Sequence, residues 1–196
     1  MKTITISSGQ SGFTLIELII VVVILGVLSV VALPRFISFT KDAEQAVFAA
    51  NLGAVSSAIR MYHLQWQVKG QPDSAFGEFS SIPSELGYPA GGADLTAAFE
   101  SDCETIWFDL LQDNAPTLGF ISGVNGWSAT VSDDDWVRSA SQLSVIGESE
   151  DIFCHFVYTK SYFTGGFSGL ADERVPAIQY NIRTGEVASF GWPFNP

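Results

Sequence analysis

One ionisable side chain, Glu17, lies inside a long apolar run that begins at Phe13 and ends at Leu33. A carboxylate in such a run is unfavourable unless it has a cation or a hydrogen-bond donor as partner. Residues of this kind commonly serve a function, because an apolar substitute would be more stable. Glu17 is therefore the first candidate functional residue of this chain.

The other residue types that often carry chemistry show no catalytic or metal-binding pattern. His63 and His155 are the two histidines, and they lack the spacing of metal ligands. The sequence contains no Gly-x-Ser-x-Gly nucleophile motif and no phosphate-binding loop. Asp133-Asp134-Asp135 lacks the twelve-residue calcium-loop pattern, so a solvated turn is the default interpretation. We predict that the chain is not an enzyme and has no cofactor.

Cys103 and Cys154 are the two cysteines of the chain. In an oxidising compartment they would pair and close a loop of about 52 residues, which stabilises the fold by roughly 4 kcal/mol through chain entropy. A short helix is predicted over 101–112, with Cys103 on its apolar face together with Trp107. Two buried free thiols remain the alternative, because spacing alone does not exclude them.

The apolar run is long enough to cross a bilayer. About 21 residues at roughly 1.5 Å each give a helix of about 31 Å, against a hydrocarbon core of about 30 Å. A small residue, Gly12, precedes the run instead of following it, so a secretory signal peptide fits poorly. Lys2 favours a cytoplasmic N-terminus.

An amphipathic helix is predicted to continue from the apolar run to about Val68 and to end at Gly70-Gln71-Pro72. Together the two parts make one helix of more than 50 residues, so its first half must project from any compact domain. The apolar stripe of its second half is predicted to be core. Its members are Phe36, Phe39, Ala43, Ala46, Val47, Ala50, Ala54, Ala58 and Tyr62.

The residue pattern in the last third of the chain predicts β-strands. A long helix followed by strands predicts an α+β fold, with an antiparallel sheet packed on the amphipathic half of the helix. A tight hairpin connection is predicted at Arg183-Thr184-Gly185. The clearer strands are 151–159, 175–182 and 186–190, and the weaker candidates are 117–121, 127–131 and 135–139.

The formal net charge of −12 argues against a nucleic-acid binder, because phosphate contacts need a basic surface. A self-repelling, soluble surface outside the cytoplasm is the simpler interpretation.

The hexapeptide Gly12-Phe13-Thr14-Leu15-Ile16-Glu17 resembles the cleavage motif of type IV pilins and the related pseudopilins. This resemblance implies that prepilin peptidase cleaves between Gly12 and Phe13 and that the new N-terminal Phe13 is methylated. It also implies that Glu17 meets the N-terminal amine of a neighbouring subunit during assembly. Pairing of Glu17 with its own N-terminus is the alternative.

The resemblance also implies a domain plan and a location. Residues 1–12 would be a leader peptide, residues 13–34 a membrane and filament-core helix, and residues 35–196 a globular head. The chain would cross the inner membrane once with its head in the periplasm, and would then enter a surface filament. Its partners would be other copies of itself, related pilins and prepilin peptidase.

Looser motifs are similar to the mannose-sensitive haemagglutinin pilins, which implies surface attachment and biofilm formation through an unknown surface or host ligand. The chain departs from that pattern in an aromatic loop around Tyr162, Phe163 and Phe167. A secretion-system pseudopilin and a minor tip pilin that acts as a binding module are the alternatives. Some pilin relatives bind calcium in loops near the sheet. The resemblance therefore leaves calcium binding as the alternative to the prediction that the chain has no cofactor. The looser motifs are Leu33-Pro34-Arg35-Phe36, Lys41-Asp42-Ala43-Glu44, Gln65-Trp66, Cys103-Glu104-Thr105-Ile106-Trp107, Ile178-Gln179-Tyr180 and Thr184-Gly185-Glu186-Val187.

Overall fold

The computed structural model describes residues 13–92, 100–120, 136–141, 152–160 and 174–193. Within these ranges the α+β prediction is confirmed. The helices are α1 (Leu15–Val68), α2 (Glu100–Leu111) and a short 3₁₀ helix (Gln112–Asn114). The strands are β1 (Leu118–Phe120), β2 (Trp136–Ser141), β3 (Phe153–Tyr158), β4 (Arg174–Asn181) and β5 (Val187–Pro193).

The chain divides into two compact units, residues 1–45 and residues 46–196. The large apolar side chains between Phe13 and Val30 in the first unit are exposed. Among the described residues, no helix combines the length and the apolarity needed to cross a membrane. The membrane helix and the domain boundary after residue 34 therefore stay predictions from the sequence.

The second half of α1 buries a different face from the one that the sequence pattern predicts. The side chains that pack into the core are Phe48, Leu52, Val55, Ile59 and two members of the predicted stripe, Ala58 and Tyr62. The exposed members of the predicted stripe are Phe39, Ala43, Ala46, Val47, Ala50 and Ala54. That prediction was wrong for most of its residues. The helix carries two apolar stripes, and burying the one with the larger side chains removes more apolar area from water.

The five strands form one sheet in the order β1-β2-β3-β4-β5. The pairs β2–β3, β3–β4 and β4–β5 are antiparallel, as predicted, whereas β1 lies parallel to β2 at the edge. Parallel neighbours need a connection of a dozen or more residues, and the chain between these two strands is long enough to provide one. The predicted strand at 127–131 lies outside the described residues.

The hairpin between β4 and β5 confirms the tight connection expected there. Asn181 Oδ1 accepts hydrogen bonds from the backbone N–H groups of Arg183 and Thr184, at 2.9 and 3.1 Å. Gly185 has a φ of 72°, in the left-handed region that glycine adopts without strain.

One hydrophobic cluster joins α1, α2 and one face of the sheet. Phe48 of α1 stacks on Trp136 of β2 with ring centroids 5.8 Å apart. Trp136 in turn contacts Trp107 of α2, with centroids 5.2 Å apart. These aromatic rings hold the two helices against the sheet, because each buries a large apolar area in a well-packed contact.

Cys103 and Cys154 form a disulfide that links α2 to β3 inside this cluster. Their Cα atoms are 5.4 Å apart, and 51 positions separate them in the chain. Both residues are completely buried. The bond therefore fastens α2 to the sheet at the centre of the core.

Residues 70–92, which follow α1, are held in place by hydrogen bonds to polar groups that are buried or half-buried. Tyr62 Oη donates to the carbonyl of Ser81 at 2.8 Å, and Tyr180 Oη donates to the carbonyl of Pro89 at 2.7 Å. The carboxylate of Asp109 accepts from the Ser81 N–H, and Asp102 Oδ1 accepts from the Gly92 N–H. Both helices and the sheet thus contribute to this connection.

Breaking the disulfide should weaken the 46–196 unit substantially. We expect the double variant Cys103→Ser/Cys154→Ser to lose about 4 kcal/mol of unfolding free energy, because the unfolded chain regains the entropy of an open loop. Guanidinium unfolding of the detergent-solubilised chain, followed by tryptophan fluorescence, measures the loss. The reduced and alkylated wild-type chain is the control and should unfold like the variant. Equal midpoints for oxidised wild type and variant would contradict the prediction.

The buried tyrosines should make stability fall at alkaline pH. Burial raises the pKa of Tyr62, and the Asp109 carboxylate adds to this effect. Burial also raises the pKa of Tyr180, with a smaller contribution from Tyr62 and Tyr88. The folded chain therefore keeps protons that the unfolded chain loses above about pH 10, so stability is complete below that pH and declines above it.

Unfolding free energies measured across this pH range, together with the ultraviolet absorbance of tyrosinate, test the expectation. Tyr180→Phe should flatten the alkaline decline. An unchanged slope in Tyr180→Phe, or full ionisation of all tyrosines before unfolding, would contradict it.

Candidate functional site

Reciprocal hydrogen bonds between Thr14 and Glu17 close the first turn of α1. The N–H and Oγ1 of Thr14 both donate to Glu17 Oε2, at 3.1 and 3.0 Å. The Glu17 N–H donates back to Thr14 Oγ1 at 3.3 Å. The Thr14 carbonyl accepts from the Leu18 N–H, which is the first hydrogen bond of the helix. Thr14 is therefore the N-cap, and the pair forms a capping box.

This cap is not among the predictions from the sequence, although its signal is present. A threonine followed three residues later by a glutamate is the capping-box pattern, and here it directly precedes an apolar run. We considered Glu17 only as a charge that needs a partner. The structure supplies a partner of another kind, the backbone N–H and hydroxyl of Thr14.

The position of Glu17 is also favourable for its charge. It is the acidic residue in the first turn of α1, where the unpaired backbone N–H groups carry partial positive charge. A carboxylate at such a position stabilises a helix by about 0.3–1 kcal/mol when exposed. The cap and the helix dipole together account for a glutamate in this segment without any second chain.

The carboxylate nevertheless keeps capacity for a further donor. Both hydrogen bonds from Thr14 end on the same oxygen, Oε2, and an ionised carboxylate offers about four acceptor positions. Glu17 is exposed, so a second donor can approach it. Capping within the chain and contact with an amine of another chain are therefore compatible.

The surface around Glu17 is apolar and open. Phe13 keeps 88% of its surface, and the large apolar side chains that follow it along α1 are exposed as well. An apolar patch of this length marks a site that lipid or another protein covers. The exposed residues are Leu15, Ile16, Leu18, Ile19, Ile20, Val21, Val22, Val23, Ile24, Leu25, Val27, Leu28 and Val30.

The candidate residues predicted from the sequence are distributed over both units of the chain. Phe13 and Glu17 belong to the 1–45 unit and the disulfide to the 46–196 unit, whereas Gly12 lies outside the described residues. The Asp133-Asp134-Asp135 run lies outside them too.

Both histidines occupy packed positions in the 46–196 unit. The ring of His63 stacks on Tyr88 with centroids 4.5 Å apart. His155 is completely buried, and its Nε2 lies 3.2 Å from Gln179 Oε1. Across the described ranges, no three His, Cys, Asp or Glu side chains group as a metal site.

The N-terminal segment matches a known family model. Residues 7–33 match the prokaryotic N-terminal methylation motif. This match contains the hexapeptide that begins at Gly12, the Thr14–Glu17 cap and the apolar run. No solved structure shows significant similarity to the chain.

Curated relatives are type IV pilins and components of type II secretion systems. The chain is 49% identical over 61 residues to the type IV narrow pilus major component of Thermus thermophilus, covering 31% of this chain and 51% of the relative. It is 44% identical over 55 residues to the type II secretion system core protein G of Pseudomonas aeruginosa, covering 28% and 39%. It is 32% identical over 108 residues to the type IV major pilin protein of Myxococcus xanthus, covering 53% and 44%.

The matched part of this chain spans about half the length of these curated relatives or less. The chain therefore carries the prokaryotic N-terminal methylation motif over residues 7–33 and has type IV pilin homologues.

Removing the Thr14 hydroxyl should fray the start of α1. We expect Thr14→Val, which is nearly isosteric, to raise amide exchange at Glu17 and Leu18 about fivefold, because these two N–H groups bond to Thr14 and an N-cap contributes about 1 kcal/mol. Hydrogen exchange of the detergent-solubilised chain, followed by mass spectrometry or NMR, measures this. Thr14→Ser keeps the hydroxyl and is the matched control. Identical exchange in wild type and Thr14→Val would contradict the capping role.

Proposed function

We propose that this chain is a structural subunit of a type IV pilus. It is made as a prepilin in the inner membrane, is cleaved between Gly12 and Phe13 by prepilin peptidase, and assembles with other copies and related pilins into a surface filament. The observation that carries the proposal is the segment from Thr14 to Val30, where a capped glutamate opens a helix whose apolar side chains are exposed. Such a surface needs lipid before assembly and other helices after it.

The membrane stage of this proposal rests on the length of the apolar run. Before cleavage, residues 13–34 would cross the inner membrane once, with the N-terminus in the cytoplasm and the head in the periplasm. A periplasmic head also agrees with the Cys103–Cys154 disulfide, since that compartment favours disulfide formation.

We infer the role of Glu17 in assembly from its carboxylate, which can accept a further hydrogen bond while Thr14 caps it. Cleavage at Gly12 would give each subunit a cationic amine at Phe13. The amine of a newly added subunit would approach the Glu17 carboxylate of a neighbour, which stays capped by its own Thr14. A charged contact in an apolar bundle fixes the register of the helices, because any other register leaves both charges unpaired.

The finer proposal concerns what the filament does. The looser motifs shared with mannose-sensitive haemagglutinin pilins support a role in surface attachment and biofilm formation, with a ligand still to be identified. The acidic composition of the chain speaks against direct DNA capture.

A secretion pseudopilin is the second candidate, and a specific finding favours it. The chain is 44% identical over 55 residues to the type II secretion system core protein G of Pseudomonas aeruginosa, a similarity of the same order as that to the pilins. A minor pilin at the filament tip is the third candidate. Immunogold labelling separates them, since a major pilin labels the whole filament, a tip pilin labels its end, and a pseudopilin labels no surface filament.

Mass spectrometry of sheared and purified filaments tests the main proposal. We expect this chain as an abundant component whose N-terminal peptide begins at methylated Phe13. Deletion of its gene should remove the filaments and reduce attachment of cells to surfaces. Absence of the chain from surface filaments, or a mature N-terminus at another residue, would contradict the proposal.

A comparison of two variants separates the charge of Glu17 from its capping role. Glu17→Gln keeps the capping box, since glutamine serves there as well as glutamate, but it removes the charge. Thr14→Val removes the cap but keeps the charge.

We expect Glu17→Gln to reach the membrane at wild-type levels and to be lost from filaments, whereas Thr14→Val should still assemble. Immunoblots of membrane and sheared-filament fractions measure both. Normal assembly of Glu17→Gln would contradict the assembly role of the charge, and equal loss in both variants would show that assembly needs the cap as well as the charge.

A further inference from the structure

The outer side of β5 is an open edge of the sheet within the described residues. β5 is the last strand in the sheet order, and among the described strands it pairs with β4 alone. Ser189, near its middle, is exposed. An edge strand offers a row of backbone N–H and C=O groups to any extended chain that approaches, including the same strand of another copy. The edge is therefore an interaction surface unless the fold protects it.

The hydrogen bonds of the β4–β5 hairpin show which backbone groups of β5 point outward. The Asn181 N–H donates to the carbonyl of Glu186 at 2.9 Å, so these two opposite residues form a hydrogen-bonded pair. In an antiparallel ladder, such pairs alternate with pairs whose N–H and C=O groups point away from the partner strand. The register of β4 and β5 is continuous. It therefore directs the N–H and C=O groups of Val187, Ser189 and Gly191 away from β4.

One of these outward carbonyl groups accepts a hydrogen bond from a charged side chain. Nη1 of Arg174, at the start of β4, donates to the carbonyl of Gly191 at 3.2 Å. Because that carbonyl points away from β4, the guanidinium reaches across β5 to its outer side. The glycine leaves room for this path, since a Cβ at position 191 would lie 2.6 Å from Arg174 Cβ and 3.0 Å from its Cδ.

β5 itself has no charge that would protect this edge. From Val187 to Pro193 it contains no Asp, Glu, Lys or Arg. Charged side chains at an edge commonly prevent a second strand from pairing, because pairing would take the charge out of water. Here the neighbouring strand supplies the charge. A guanidinium has five N–H donors, so the Arg174 side chain stays hydrated while it bonds to Gly191, and an added strand would have to displace it.

We propose that Arg174 keeps β5 of one copy from pairing with β5 of a second copy. Two-fold antiparallel pairing centred on Ser189 would place Val187 of each copy opposite Gly191 of the other. In that register the Val187 N–H needs the Gly191 carbonyl of the other copy, which is the carbonyl that Arg174 already binds. A second copy is the relevant partner, because every copy carries the same edge and the uncharged strand places no like charges against each other.

A cysteine at position 189 reports this pairing directly. Ser189→Cys places a thiol on each copy where the two strands would meet, while Cys103 and Cys154 stay bonded and buried. In this background we expect Arg174→Ala to raise the rate of disulfide formation between copies at least about tenfold, because each edge loses a hydrogen bond from a charged group. Mild oxidation of the detergent-solubilised chain, followed by non-reducing electrophoresis, measures the rate.

Three matched variants separate the position of the guanidinium from its charge and from general aggregation. Arg183→Ala removes one positive charge from the turn of the same hairpin and should leave the rate unchanged. Gly191→Ala keeps every charge but displaces the Arg174 side chain, so it should raise the rate as Arg174→Ala does. A cysteine at Ser57, which is exposed on α1, should form no additional dimer when Arg174 is replaced.

The outcomes do not depend on whether the chain enters a filament, so this inference and the proposed function can fail separately. Equal dimer formation at position 189 with and without Arg174 would overturn the inference. An equal rise in Arg183→Ala would overturn it as well, since net charge would then explain the effect, and so would an equal rise at position 57. Tryptophan fluorescence and the native disulfide confirm the fold of each variant, and Arg174→Ala decides the question where Gly191→Ala fails to fold.

Discussion

A helix of 54 residues cannot bury its apolar surface within this chain, and most other features follow from that constraint. The core of the 46–196 unit covers one face of the second half of α1, where Val55 and Ile59 have no exposed surface left. The large apolar residues from Phe13 to Val30 remain exposed, and so do Val47, Met61, Leu64 and Val68 farther along the helix. Apolar area of this extent outside a core is unfavourable in water by about 25 cal/mol per Å², so it predicts covering by lipid or by other chains.

The 46–196 unit, in contrast, has a core of its own. The second half of α1, α2, the sheet and residues 70–92 pack together there without using the exposed apolar residues. Its core is fastened by the Cys103–Cys154 disulfide between α2 and β3. Residues 70–92 are held by hydrogen bonds that Tyr62 and Tyr180 donate to their carbonyl groups and by hydrogen bonds that Asp102 and Asp109 accept from their N–H groups. Buried hydroxyl and carboxylate groups fix such a segment because an unpaired buried polar group costs about 1–3 kcal/mol.

Much of this architecture can be predicted from local sequence signals. The end of α1 at Val68, the extent of α2 and the hairpin at Gly185 each follow from residue types within a few positions. The choice of the buried face of α1 cannot be predicted in this way, because two apolar stripes share the helix and only the packed sheet decides between them. The same holds for the parallel β1–β2 pair, which depends on the path of the chain between the strands.

At the candidate site, the feature that was not predicted is a local one. The Thr14–Glu17 cap is a local signal, and it was missed because the family resemblance assigns Glu17 to contacts between subunits. The disulfide, by contrast, was one of two alternatives that spacing left open, and the structure decides it. Interactions between distant residues need the fold, whereas a capping box needs only the four residues that form it.

The proposed assembly combines an apolar contact with a charged one, and the two differ in what they can specify. Apolar helix surfaces supply association energy, but they distinguish registers poorly, because sliding one helix by a heptad brings similar side chains together again. Such a slip would move Glu17 by about 10.5 Å along the helix axis, which would take its carboxylate out of reach of a neighbour's Phe13 amine. A single charge in the apolar segment would therefore select one register among several that apolar packing alone would accept. The hydrogen bonds from Thr14 would support this selection by holding the carboxylate in place before a partner arrives.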